Sequence, residues 1–281
     1  MDAMASSVGR RALLGYVGRM NVNLHHHRSG AGEPLLLIHG LGSRWQMWEP
    51  VIGPLAAYHE VIAIDLPGFG DSSMPPPGTR PGADSLTSLV SGFLAEIGVE
   101  RPHVAGNSLG GLIALNLAVR GQVRTATAVS PAGFATRAEM MVSRASLWAS
   151  VRAARALAGH ADRLLAPALG RKLALNLFVA HPERMTAADA AASTRALAGA
   201  PWFDATLPSL RAMEFTGGEE IRVPVTVAWG DKDRVLLPRQ ARRAGRALPR
   251  ARLISLRGCG HVPTTDDPEQ VARVLLEAAA V

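Results

Sequence analysis

The chain has 281 residues, 48% of them hydrophobic, and 30 basic against 23 acidic residues give a formal charge of +7. This composition supports a buried core and excludes a chain that is disordered throughout, while the length suits one large domain or two small ones. No apolar run reaches the roughly 18 to 20 residues that cross a bilayer, and no basic block interleaved with aromatic residues favours a nucleic-acid partner. The lone cysteine, Cys259, allows no internal disulfide, so we expect a cytoplasmic protein. Residues 1–12 are interpreted as a loose leader, because the apolar run that follows Arg10 and Arg11 is too short for a signal-peptide core.

The first half of the sequence predicts strands that alternate with helices. Leu35–Ile38 is a continuous apolar run without alternation, which is typical of a strand buried on both faces of a parallel sheet. His25, His26 and His27 alternate between the two faces of their strand, so we expect no metal site there. In chain order we expect strands at 14–17 and 20–27, a strand at 35–38, a helix at 45–57, a strand at 61–65, a helix at 84–97, a strand at 103–105, a helix that ends near residue 120, and a strand at 125–129.

The pattern changes after Gly133. Residues 135–215 are rich in Ala, Leu and Arg with scattered Gly and Pro, and they predict about four short helices and no strand. Strands return at 223–229 and 251–256, with helices at 238–248 and 267–280. Alternation on both sides of the insertion predicts an α/β fold with a mostly parallel sheet covered by helices. The expected core domain comprises residues 1–134 and 216–281, and the expected helical cap comprises residues 135–215.

The chemistry centres on a serine between glycines, in Gly106-Asn107-Ser108-Leu109-Gly110-Gly111. A strand before it and a helix after it would hold Ser108 in a strained turn, with its hydroxyl clear of the sheet. A serine hydroxyl needs a base to take its proton, and the base needs an orienting acid. Such groups gather after the carboxyl ends of strands. His261 follows the last predicted strand, and both Asp231 and Asp233 follow the strand that ends at Trp229.

Together these segments resemble the α/β-hydrolase fold superfamily, in its lidded branch of serine esterases, lipases and C–C hydrolases. The resemblance implies an eight-stranded, mostly parallel sheet with the cap inserted between strands 6 and 7. It also implies a catalytic triad of Ser108, Asp233 and His261, because the acid of similar proteins is the fourth residue after the tryptophan that here is Trp229. The segments that carry it are Leu35–Gly42, Asp65–Ser72, Gly106–Gly111, Trp229–Asp233 and Gly260-His261.

An oxyanion hole is expected beside the serine. The tetrahedral intermediate of acyl transfer carries a negative charge that two backbone N–H groups stabilise. One donor should be Leu109, the residue after the nucleophile, and the resemblance points to Leu41 for the other. His39 is expected to brace this loop. We expect no metal and no cofactor, and a substrate pocket lined by residues that include Trp45, Trp148, Phe178, Trp202 and Val262.

The predicted cap is basic. A solvated outer face is the simplest interpretation; a sharper one is attraction to an anionic substrate, or weak contact with an anionic membrane. Between residues 137 and 172 the acidic residues are Glu139 and Asp162, and the basic residues are Arg137, Arg144, Arg152, Arg155, Arg163, Arg171 and Lys172.

The sequence therefore predicts a serine hydrolase that cleaves a carboxylic ester with an apolar acyl group through an acyl-enzyme. One alternative is C–C bond hydrolysis of a ring-cleavage (meta-cleavage) product. An alternative of another class is a non-catalytic ligand-binding protein on the same fold. A dehalogenase or an epoxide hydrolase is disfavoured, because similar enzymes of those types carry aspartate at the position of Ser108. A small-molecule substrate and a monomer or homodimer are expected.

Overall fold

The computed structural model describes residues 23–210 and 213–280. These residues form a seven-stranded sheet in the order β1-β3-β2-β4-β5-β6-β7. β1 runs antiparallel to β3, and all other neighbouring pairs are parallel. The strands are β1 His26–Ser29, β2 Glu33–Ile38, β3 His59–Ile64, β4 His103–Asn107, β5 Thr125–Val129, β6 Val225–Gly230 and β7 Arg252–Leu256.

The predicted α/β class and mostly parallel sheet are confirmed. Six of the eight predicted strands lie wholly in the described residues; the strand predicted at 14–17 lies outside them, and the one predicted at 20–27 lies in them only from residue 23. The strand predicted at 20–27 is displaced, because β1 begins at His26, where its ladder with β3 starts.

Burial on both faces explains the unbroken apolar runs. Leu36 and Ile38 of β2 enter one core, whereas Leu35 and Leu37 enter the other, because successive strand residues point to opposite faces. Helices cover both faces of the sheet: Ala83–Glu96, Leu109–Val119 and Gln240–Ala247 contribute to the first core, and Glu49–Ala56 and Pro268–Ala279 to the second. The helices outside the insertion are α1 Glu49–Ala56, α2 Ala83–Glu96, α3 Leu109–Val119, α9 Gln240–Ala247, α10 Pro263–Asp266 and α11 Pro268–Ala279.

A helical segment separates β5 from β6, at the place where the sequence predicts the cap. Its first helix is 21 residues long, and the expectation of only short helices was wrong here. Thr136 and Glu139 form a reciprocal capping box at its start, and no Gly or Pro interrupts the chain before Gly159. The helices of this inserted segment are α4 Arg137–Leu157, α5 Ala161–Leu165, α6 Ala168–Leu175, α7 Ala187–Ala198 and α8 Phe203–Ser209. Across the described residues, no helix combines the length and the apolar character that a membrane span needs.

Candidate active site

Ser108 occupies the sharp turn between β4 and α3. Its backbone has φ 57° and ψ −114°, a conformation that is strained for a residue with a side chain. The turn is tight because strand and helix nearly touch. A Cβ at Gly106 would lie 2.1 Å from the carbonyl oxygen of Gly110, and one at Gly110 would lie 2.2 Å from that of Ile38. Glycine is therefore required at both positions that flank the serine.

The structure brings His261 and Asp233 together from loops that follow β7 and β6. His261 Nδ1 lies 2.7 Å from Asp233 Oδ2, and both side chains are buried. Asp233 Oδ1 accepts hydrogen bonds from the backbone N–H groups of Val235 and Leu236, at 2.8 and 2.9 Å. Asp231, by contrast, is exposed and accepts from the N–H of Gly258. Of the two candidate acids, it is Asp233 that contacts the histidine.

Ser108 and His261 line one cavity of about 1120 Å³. In the described part of the chain, neither the Ser108 hydroxyl nor His261 Nε2 makes a hydrogen bond with protein. Both atoms are therefore free to bind a molecule in the cavity. Catalytic hydrogen bonds of this kind commonly tighten only when substrate is bound.

The two expected oxyanion donors adjoin the serine. Leu41 lines the cavity, and Leu109 is the first residue of α3. Within residues 23–210 and 213–280, neither of their backbone N–H groups has a protein acceptor. A Cβ at Gly40 would lie 3.2 Å from the Ser108 Cβ, so the loop that carries Leu41 passes directly over the serine. Both N–H groups thus remain available to an oxyanion.

His39 braces this loop. Its Nε2 accepts the N–H of Leu66 at 2.8 Å, which places the ring proton on Nδ1, and Nδ1 donates to the Gly40 carbonyl at 2.7 Å. Burial lowers the pKa of His39, so the ring stays neutral. With both nitrogens engaged, His39 has no free site at which to act as a base.

Two buried polar side chains hold the loop of His261. The Asn107 amide donates to the carbonyls of Val129 and His261, at 3.2 and 2.9 Å. Asp266 accepts the Gly260 N–H at 2.7 Å. Asp266 was not identified from the sequence. The one available signal was that two aspartates stand side by side before α11. Asp267 caps this helix by accepting the Gln270 N–H, so Asp266 is a second carboxylate at the same place.

Two of the five expected pocket residues, Phe178 and Val262, line the cavity. Trp45, Trp148 and Trp202 are not among its lining residues. Trp45 stacks on the His27 ring with centroids 4.7 Å apart, and Trp202 packs over Gly68. Trp148 is 54% exposed and lies beneath the guanidinium of Arg152.

Leucine and alanine are the most frequent residues of the cavity wall. The sequence carried one signal for the wall on α4, where lining residues recur on one side of the helix, at 147, 149, 150, 153, 154 and 157. The remaining wall comes largely from α5 to α7 and the loop after α6. It includes Leu164, Leu165, Leu173, Leu177 and Leu197.

Two other groups of residues could in principle act as a nucleophile or as metal ligands: the Cys259 thiol, and the cluster of His25, Asp65 and Asp71. Burial raises the pKa of the Cys259 thiol to about 12, so it is not a nucleophile near neutral pH. His25, Asp65 and Asp71 place potential ligand atoms within 4.8 Å of one another. The Asp65 carboxylate already accepts the N–H groups of Trp45 and Asp71, at 2.7 and 3.0 Å. It therefore braces these loops.

Comparisons with known proteins agree with this architecture. The acetyltransferase component of the acetoin cleaving system of Cupriavidus necator is 39% identical over 116 residues, which are 40% of this chain and 30% of that protein. The 2-hydroxy-6-oxo-2,4-heptadienoate hydrolase of Pseudomonas putida is 34% identical over 123 residues, 43% of this chain and 42% of that protein. The chain thus matches less than half the length of either relative.

A crystal structure of a bacterial membrane phospholipase A superposes with a TM-score of 0.71 at 25% identity, and it covers 98% of this chain and 92% of that one. Residues 35–274 match the model of the alpha/beta hydrolase family. That match spans most of the chain and both halves of the sheet. The chain therefore belongs to the alpha/beta hydrolase family.

Proposed function

We propose that the protein is a serine hydrolase that cleaves a carboxylic ester with an apolar acyl group. The observation that carries the proposal is the 2.7 Å pair of His261 and Asp233 at the same cavity as Ser108. A nucleophile in a strained turn, a histidine and a buried acid that fixes its ring are the three parts that acyl transfer needs.

The contacts suggest the role of each group. Asp233 Oδ2 accepts the Nδ1 proton of His261, which leaves Nε2 unprotonated and able to take the Ser108 proton as the serine attacks the carbonyl carbon. The N–H groups of Leu41 and Leu109 stabilise the oxyanion. His261 then protonates the leaving alcohol, the acyl group stays on Ser108, and a water activated by His261 releases the acid.

The cavity wall supports an apolar acyl group. A volume of about 1120 Å³ lies just above the usual range for ligand pockets. Leu and Ala are the most frequent residues of its wall and stabilise hydrocarbon by burial, beside a polar part that includes Ser43, Thr186 and Ser193. Burial of one methylene contributes about 0.8 kcal/mol. Longer acyl chains should therefore bind progressively better until the cavity is filled.

We expect kcat/KM for p-nitrophenyl esters to rise about threefold to fourfold per methylene from acetate upward. The measurement is a panel of acyl chains from two to twelve carbons. Ala153 lines the cavity on α4 and Ala156, on the same helix, does not. Ala153→Phe should lower kcat/KM for the long esters and spare acetate, and Ala156→Phe should change neither. A panel with no dependence on chain length would contradict the proposed substrate class.

A second candidate is hydrolysis of a C–C bond in a ring-cleavage product. It is favoured by the similarity to a protein named as a 2-hydroxy-6-oxo-2,4-heptadienoate hydrolase. Arg44 and Arg184 line the cavity and would attract the carboxylate of such a substrate, although Glu49 and Asp189 line it as well. Turnover of a ring-fission dienoate well above that of every ester would favour this reaction.

If a fluorophosphonate failed to label Ser108, the protein would instead be a non-catalytic binder on this fold.

A further inference from the structure

The outer side of the inserted segment is unusually apolar. Six of the nine large hydrophobic side chains that are exposed in the described residues lie on α4, α5 and α6. Trp148 is 54% exposed, Leu169 66% and Leu173 72%. Clustered exposure of this kind marks a surface that contacts another molecule or a membrane. The remaining three of these six side chains belong to Met141, Val142 and Leu164.

The exposed side chains share helix faces with cations. Met141 and Trp148 are seven residues apart on α4, so they lie on the same face two turns apart. Arg152 follows one turn later, with its guanidinium carbon 4.9 Å from the centre of the Trp148 ring. On α6, Leu169 and Leu173 are four residues apart and likewise share a face. We call the exposed residues of α4 to α6 the outer face.

The outer face adjoins the opening of the cavity. Leu164 and Leu173 are exposed and at the same time line the cavity. Ala149 and Ala153 of α4 are also exposed and line the cavity. These residues therefore form a rim where the cavity meets the surface. These four side chains give an apolar molecule a hydrocarbon surface to follow into the cavity.

The charge of the outer face is positive. Of the two acids on α4 to α6, Glu139 is buried and pairs with Arg239 and Arg243 from outside the segment, and the exposed Asp162 pairs with a later arginine of the insertion. Within the described residues, four of its basic side chains form no ion pair and are free to meet an anionic partner: Arg137, Arg152, Arg163 and Lys172.

We propose that the outer face docks on an anionic phospholipid bilayer, with the rim of the cavity turned toward the lipid. Apolar side chains interspersed with cations suit this partner, because the former enter the acyl boundary while the latter meet the phosphates. The docking does not depend on which bond the enzyme cleaves. Its function would be to receive an apolar substrate directly from the membrane.

The test is flotation with phosphatidylcholine vesicles that contain either no phosphatidylglycerol or 30 mol% of it. The wild-type protein should float with the anionic vesicles and be released at 0.5 M salt. Each basic residue near an anionic surface contributes about 1 kcal/mol. The double variant Arg152→Gln, Lys172→Gln should therefore bind at least about tenfold more weakly, and so should Trp148→Ser, Leu169→Ser.

Matched variants elsewhere on the surface provide the control. Arg242→Gln, Arg246→Gln removes two exposed arginines of α9, and Tyr58→Ser, Leu253→Ser removes two exposed apolar side chains. Both should bind vesicles as the wild type does. The proposal would be overturned if the wild type did not float, if it floated equally with neutral vesicles, or if control and outer-face variants lost binding alike.

A second inference rests on the carboxylate of Asp266. This buried group accepts the N–H of Gly260 at 2.7 Å, and also the N–H groups of Ala180 and His181 in the inserted segment, at 3.0 and 2.8 Å. It thus joins the residue before His261 to the segment that follows α6. The Val262 N–H reinforces the link by donating to the Phe178 carbonyl at 2.9 Å.

We infer that Asp266 is a positioning residue that holds His261 in register with the inserted segment. This inference rests on the proposed function, because it assigns the purpose of the link to His261 acting as a base. Three N–H donors aimed at one carboxylate require an acceptor-only group. Asp266→Asn would turn an N–H₂ toward at least one of these donors and release the loop.

The test is the second-order rate at which a fluorophosphonate labels Ser108. Asp266→Asn should label about 10²-fold more slowly, since small displacements of a catalytic group have effects of that size, and Asp266→Glu should recover part of the rate. Asp267→Ala removes the neighbouring helix cap and should lower Tm while it leaves the labelling rate unchanged.

Amide hydrogen exchange gives a readout that is independent of chemistry. In Asp266→Asn the amides of Gly260, Ala180 and His181 should all exchange faster. An unlabelled wild type would overturn the proposed function. A labelled wild type with an equally reactive Asp266→Asn variant would overturn only the role of Asp266.

Discussion

Ser108→Ala is expected to lower kcat for p-nitrophenyl esters by about 10⁶-fold, the size of effect seen when the nucleophile of a serine triad is removed. The remaining groups can still bind substrate and polarise its carbonyl, so a small rate above that in water should persist. The substitution removes one oxygen that makes no hydrogen bond within the described protein. The melting temperature should therefore fall little or not at all.

A serine in the same cavity supplies the control. Ser150 lines the cavity, but its hydroxyl donates to the Ser146 carbonyl at 2.8 Å within α4. Ser150→Ala should keep kcat within about twofold of the wild type, because ordinary side-chain changes away from the reacting atoms have small effects. A fluorophosphonate should label the wild type and Ser150→Ala but not Ser108→Ala. Wild-type turnover by Ser108→Ala would remove the basis of the proposed mechanism.

The parts of the fold that the sequence predicted are those marked by a local pattern. Leu35–Ile38 is recognisable as a buried strand because both of its faces meet helices. The glycines around Ser108 are required because a Cβ there would lie about 2 Å from a carbonyl oxygen. His261 and Asp233 could be found because parallel strands bring their carboxyl ends to one edge. In each case the pattern itself lies within a few consecutive residues, although the contacts that explain it come from other parts of the chain.

The parts that the sequence missed depend on distant contacts. Asp266 looks like an ordinary residue before a helix, and two of its three donors come from residues 85 and 86 positions earlier. The aromatic residues were a poor guide to the pocket for a similar reason. Trp148 and the cavity-lining Leu147 are adjacent on α4, and spacing alone does not show which helix face meets the solvent.

Asp233→Asn is the second substitution with a large expected effect, and we expect kcat to fall about 10⁴-fold at neutral pH. The amide oxygen can keep the two hydrogen bonds from Val235 and Leu236, so the loop should stay in place. Its N–H₂ group then faces His261 Nδ1 and donates to it. That bond moves the ring proton to Nε2, which can no longer accept the proton of Ser108.

Asp231→Asn is the matched control for this substitution. Asp231 lies two residues earlier in the same loop, and its carboxylate accepts the Gly258 N–H at 2.8 Å, a bond that an amide oxygen can also accept. We expect kcat within about threefold of the wild type, as for most exposed substitutions. A large loss in Asp231→Asn with a small one in Asp233→Asn would reverse the assignment of the acid. Both substitutions replace one carboxylate oxygen by an amide nitrogen in the same loop. The difference between their effects on kcat therefore measures the hydrogen bond to His261 and not the stability of the loop.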